Sequence, residues 1–280
     1  GFADATKSLN AKPSSRHPLL LREEGFALSD FVASALVVAA LAAVGTTLDR
    51  ALGLRLGALG PWRWPLGALL ALTLVALGWL QPLLGAVLLG LVAAAGRLAS
   101  SEAVPPPARR LAPFVGLVLL VGALRPMHPL YWDEHVWLAK TRLATRGLHA
   151  LADAALAPSS PVLPRGYPIG WSLAEALLAA CAPDTAALST EAFALSALCL
   201  VLYVALLARG GRGPVALGVM AAAPIAWVHW RSAYVDLPLG LLSASVALGL
   251  EQERRYRDER TIPVVIAAAA LAGAAKDEGA

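Results

Sequence analysis

The feature that most limits this chain is a series of long apolar runs almost empty of charge: Phe31–Leu48, Leu66–Gly96, Ala186–Ala208, Val215–Val228, Leu237–Leu250 and Ile262–Ala275. The fuller ones approach the ~20 residues with which a helix crosses the ~30 Å hydrocarbon layer. Composition points the same way, with 58% of residues hydrophobic and 15% charged, against about 25% charged in soluble domains. Aromatics make up only 6%, and the runs do not alternate apolar with polar residues as the strands of a transmembrane barrel do. The expectation is an all-α, polytopic transmembrane protein.

Three regions follow. Residues 1–27 read as a polar tail, with Pro13, Ser14 and Ser15 and no signal-peptide core. Residues 28–110 hold the first spans, in which Gln81-Pro82 interrupts the long run, and close on the linker Ser100–Arg110; two early spans or three fit equally. Residues 111–280 form the second region, with an amphipathic loop over 127–184. The start at Gly1 and the stop at Ala280, directly after a polar cluster, suggest a fragment lacking a C-terminal part. Cys181 and Cys199 lie in apolar segments and read as small core residues. The net charge of +4 suits positive cytoplasmic loops or an anionic lipid and does not suggest nucleic acid.

Positive charge in short loops orients the second region. Arg209 and Arg212, then Arg254, Arg255, Arg257 and Arg260, mark the inner side, which puts the 127–184 loop, Asp236 and the 276–278 cluster outside. The segment Gly170–Ala182 is too short to cross and reads as re-entrant or surface-lying. One face therefore gathers Asp133-Glu134, Asp236 and Asp277-Glu278. Converging carboxylates suit two tasks: binding a divalent cation through oxygen, or removing a proton from an incoming hydroxyl.

Each element also has a structural reading. A helix over 134–149 places His135, Arg142, Arg146 and His149 on one stripe, opposite Val136, Trp137, Leu143, Ala144 and Leu148. Asp133 then serves as its N-cap and Glu134 as a first-turn acid. Asp236 with Pro238 is equally a helix start. Tyr167-Pro168-Ile169-Gly170 is a turn opening a short helix, and Trp132, Trp137, Trp171, Trp227 and Trp230 are interface-belt residues.

Taken in order, these pieces resemble the GT-C superfamily of membrane glycosyltransferases, in particular bacterial relatives of protein mannosyltransferases and aminoarabinose transferases. The resemblance runs from about Leu111 to Ala280. It rests on Trp132-Asp133-Glu134 opening an outer loop, the Tyr167-Pro168 element, Tyr234-Val235-Asp236-Leu237-Pro238 and Lys276-Asp277-Glu278-Gly279. Ile169 departs from the family pattern, which often has a second proline there.

The resemblance implies an inverting transfer of a sugar from a polyprenyl-phosphate donor to an acceptor hydroxyl or amine at the outer membrane face. The acceptor is a glycan, lipid or protein. Asp133 is matched to the general base, with Glu134 and Asp236 as supporting acids and ligands of a divalent cation, Mg or Mn. Lys276 matches the basic residue near the donor phosphate, joined by Arg142 and Arg146, and Glu278, Tyr167 and Tyr234 complete the substrate-binding set. The phosphate leaving group wants cations rather than a protonating acid. The competing readings are a multi-pass transporter or flippase and a non-catalytic membrane scaffold.

Overall fold

The first helix, α1 (Leu28–Ala51), ends where Gly53 and Arg55 turn to positive φ, 64° and 53°. The computed structural model describes residues 28–56, 61–76, 81–82, 84–85, 87–88, 113, 116–117, 132–150, 153, 168–180, 188–209, 213–230 and 234–275, without the side chains at 28–35, 64, 132–135, 188–193, 209, 213 and 230. After α1 the chain reverses into α2 (Arg63–Ala76), with Pro65 in the first turn, where its missing N–H costs no hydrogen bond.

Asp49 fixes this reversal. Only 3% exposed, it accepts from the Leu56 amide through Oδ1 (3.2 Å) and from Arg63 Nε through Oδ2 (2.8 Å). One carboxylate thus holds the end of α1, the loop and the start of α2. The two helices then bury matching stripes, Val37, Ala40 and Leu41 on α1 and Ala68, Ala71, Leu72 and Val75 on α2, with the spacing that puts residues on one helix face. Their backbones meet at two glycines. A methyl group at Gly45 would fall on the Arg63 carbonyl, and one at Gly67 on the Leu41 carbonyl.

The remaining helices are α3 (Trp132–Thr145), α4 (Gly170–Ala179), α5 (Leu188–Arg209), α6 (Gly213–Ala222), α7 (Pro224–Trp230), α8 (Asp236–Tyr256) and α9 (Thr261–Ala275). No strand occurs among the described residues. The short α4 is the hub, packing against α1, α2, α3, α5 and α9. Its glycine start admits α9 closely: a Cβ at Gly170 would lie 2.6 Å from that of Ala274. The hairpin of α8 and α9 turns at Arg257, which adopts the left-handed conformation (φ 51°, ψ 39°). Gln252 Nε2 ties α8 to α5 by donating to the Leu206 carbonyl. The first-region helices α1 and α2 share one apolar core with α4, α5, α8 and α9.

The all-α half of the expected fold agrees with the described residues, but the polytopic transmembrane half is corrected. No helix among the described residues is long and apolar enough to cross a membrane. The helices α2, α4, α6 and α9 have 14, 10, 10 and 15 residues, below the ~20 that a crossing takes. Longer α8 ends in Glu251-Gln252-Glu253-Arg254-Arg255-Tyr256. The described side chains of α1 and α5 cover only 36–51 and 194–208.

Three local expectations also change. The run Val215–Val228 is two helices, because Pro224 has no N–H to continue the ladder. The helix expected over 134–149 stops at Thr145, and Gly147 leaves it at φ 112°. The described part of the segment expected at the surface, Gly170–Ala180, is not surface-lying: seven residues of α4 are buried, from Trp171 to Leu178.

Because Asp49 is 4% and Arg63 13% exposed at the side chain, Asp49→Ala should lower unfolding stability by about 2–3 kcal/mol. That is below the full effect of breaking a buried pair because the arginine keeps some water. Gly45→Ala should cost about 3 kcal/mol or more through forced separation of α1 and α2. Denaturant titration of both variants checks these values.

Candidate functional site

The acids expected to act sit at helix starts. Asp133 and Glu134 are the second and third residues of α3, and Asp236 is the first residue of α8. The N-terminal end of a helix carries partial positive charge, which favours carboxylates there. Asp236 is exposed, and the residue capping α8 is Val235, which makes no side-chain cap bond. The side chains of Asp133 and Glu134 lie outside the described residues, as do Tyr167, Lys276 and Glu278 altogether.

Of the expected phosphate-binding residues, Arg146 is exposed and Arg142 half-buried. Arg142 Nε is shielded from solvent and has no hydrogen-bond partner among the described residues. Tyr234 is half-buried and meets His229 edge to face, with ring centroids 5.3 Å apart at 73°. That contact links α7 to the residue two before α8. Trp227 reaches back from α7, its Nε1 donating to the Ala221 carbonyl at 2.7 Å. Among the described residues no group of three His, Cys, Asp or Glu side chains is placed to hold a metal ion.

The strongest chemical feature was not anticipated. Glu175, on the central helix α4, is 1% exposed. Its Oε1 accepts from Trp171 Nε1 at 2.9 Å, one helical turn earlier, and its Oε2 is hydrogen-bonded to Thr141 Oγ1 of α3. Thr141 Oγ1 also lies 3.1 Å from the Trp137 carbonyl. Burial pushes the Glu175 carboxyl up from 4.5 to about 8, against the opposing pull of its Thr141 and Trp171 hydrogen bonds. Next to Thr141 in the α3 sequence, buried Lys140 has its Nζ 4.7 Å from the Trp137 ring centroid, a cation–π distance. Ser172 Oγ on α4 is buried with no partner among the described residues.

Trp137 and Trp171, expected in an interface belt, are therefore core residues, 5% and 7% exposed. The sequence did hold a signal: Glu175 is the single charged residue within Gly170–Ala182, and a lone acid in a helical apolar segment needs a partner or a proton. On its other side α4 borders a small apolar cavity of ≈ 20 Å³. Trp171, Ala174, Leu177, Leu41, Leu72 and Cys199 are among its walls. This is room for about one water, without the polar lining a water needs.

The core is apolar on one flank, but α6 and α7 are apolar outward as well. Val215 is 72% and Ile225 64% exposed, with Val219 and Val228 beside them in sequence order. The buried Leu217 lies on the same helix, so α6 is apolar on both its inner and outer sides, and α7 packs next to α8.

Compared with known protein families, curated proteins and solved structures, the chain matches none.

Replacing Trp171 by Phe keeps an aromatic side chain, smaller than the indole, and removes the donor to Glu175. The expected loss is about 1–2 kcal/mol of unfolding free energy, measured by urea titration near pH 7.

Proposed function

We propose that the chain is a glycosyltransferase that moves a sugar from a polyprenyl-phosphate donor to an acceptor hydroxyl or amine. The observation carrying this reading is the order of the acidic motifs, Asp133-Glu134 and then Asp236, each in the opening turn of a helix. There the helix dipole favours charged carboxylates. The exposed apolar side of α6 and α7 beside α8 supports a ligand with a long apolar part, since exposed apolar patches mark binding surfaces. The multi-pass architecture of the resembling superfamily forms no part of the proposal.

In the proposed reaction Asp133 takes the proton from the acceptor as its oxygen or nitrogen attacks the anomeric carbon. The bond from that carbon to the phosphate oxygen breaks with its electron pair going to the phosphate. Inversion follows from attack opposite the leaving group. Arg142, Arg146 and Lys276 stabilise the departing phosphate, whose charge needs cations and no protonating acid. Tyr167, Tyr234 and Glu278 are assigned to binding. Glu134 and Asp236 are the acids that would hold a divalent cation. Of these two acids, the described side chain is that of Asp236.

Transfer of radiolabelled sugar from polyprenyl-phosphate donors, assayed with the full-length protein, tests this. Asp133→Asn should lower the rate by ~10²–10⁴-fold, the usual contribution of a positioned base, at equal expression. Unchanged transfer removes Asp133 from the mechanism. No transfer by the wild type from a broad donor panel favours a non-catalytic role.

A further inference from the structure

We propose that Glu175 is held as a neutral acid near neutral pH and in that form clamps α4 to α3, releasing α3 when it ionises. The geometry supports this through a count of protons. Thr141 has one hydroxyl proton, yet its Oγ1 reaches two oxygens, the Trp137 carbonyl at 3.1 Å and Glu175 Oε2. A carbonyl only accepts. With Glu175 protonated the chain runs one way. Trp171 Nε1–H donates to Oε1, the carboxyl O–H donates to Thr141 Oγ1, and the Thr141 hydroxyl donates to the Trp137 carbonyl. Every group is then used, and such directed chains reinforce themselves. With Glu175 ionised, Thr141 turns its proton to the carboxylate, and a full charge remains at 1% exposure between two neutral donors. A buried charge needs stronger compensation than that.

Among the described residues no charged group is found acting on Glu175. The charged and titratable groups on the helices around α4 are Lys140 and Arg142 on α3, Asp49 and Arg50 on α1, Arg63 on α2, and Cys199 and Tyr203 on α5. The side chains of Asp30 on α1, Asp133, Glu134 and His135 on α3, and Glu191 and Arg209 on α5 are outside the description. Over Thr261–Ala275, α9 has none. Among the described residues only burial, Thr141 and Trp171 act on Glu175.

The direction of the pH effect follows. The folded chain keeps a proton up to about 8 that the unfolded chain loses near 4.5. Stability is fully present below the lower value, is lost as pH rises through the upper one, and is level beyond it. Because α3 opens with Asp133 and Glu134, Glu175 becomes a positioning residue for sugar transfer; that consequence rests on the proposed function, whereas the clamp does not.

The test is thermal and urea unfolding of the full-length wild type, Glu175→Gln and Glu175→Ala from about pH 5 to about pH 9. The glutamine amide can donate to Thr141 and accept from Trp171 without titrating. The wild-type unfolding constant should rise relative to the Gln variant by up to about tenfold per pH unit until the pH reaches about 8, and then level off, with the two alike at the acid end. The Ala variant should be the least stable at the acid end. Parallel wild-type and Gln profiles overturn the proposal, as does a Gln variant no better than Ala at neutral pH. Amide exchange over 136–144, compared at equal pH, should match between wild type and Gln at the acid end and be faster in the wild type at the basic end. Equal exchange at both ends overturns the clamp. None of these readouts needs a sugar donor, so failure of the clamp and failure of the transfer reading appear separately.

Discussion

Ten residues of α4 are surrounded by five other helices, and a helix so enclosed has no water with which to satisfy a polar side chain. Glu175 is the side chain that this enclosure puts at stake. Its two hydrogen bonds, to Trp171 on its own helix and Thr141 on α3, decide where α3 sits. Alanines and leucines along the rest of α4 only require contact, which many arrangements of neighbours provide. The carboxyl requires a particular neighbour at a particular place. In a largely apolar core, such a polar side chain supplies direction that hydrophobic burial lacks.

The same division holds between α1 and α2. Apolar stripes bring α1 and α2 together, but Asp49 sets the reversal by engaging the Leu56 amide and Arg63 at once. Gln252 performs the comparable task between α8 and α5. Three polar side chains, each mostly or wholly enclosed, thus position helix pairs that the hydrophobic effect alone would leave free to slide.

Much of the helical layout was legible in the sequence, and the reason is local. Pro238 following Asp236 marks the start of α8, and the apolar runs give α5 and α9 nearly their observed limits, whereas α8 runs past Leu250 to Tyr256 and takes Arg254 and Arg255 into its last turn. What failed was inference from run length to surroundings. An apolar run says that a helix will be covered, not whether lipid or other helices cover it, so the transmembrane reading did not survive among the described helices. Tryptophan carries the same ambiguity, and Trp137 and Trp171 proved to be core residues. The candidate site was legible only as helix starts at Asp133 and Asp236. The pairing of Glu175 with Thr141 joins positions 34 apart in sequence, and no periodicity announces such a contact.

The two glycines between α1 and α2 give this interface a one-sided tolerance. Elsewhere in the core, a leucine can be exchanged for something smaller or larger and the neighbours adjust by degrees. At Gly45 and Gly67 nothing smaller exists, and every alternative places atoms on the backbone carbonyl of the opposite helix. Variation at this crossing is therefore abrupt. Since Leu41 and Leu72 also wall the cavity against Trp171, the spacing of the first two helices is a fixed boundary for the packing of α4, and sequence change in this protein has freer play on the outer faces of its helices.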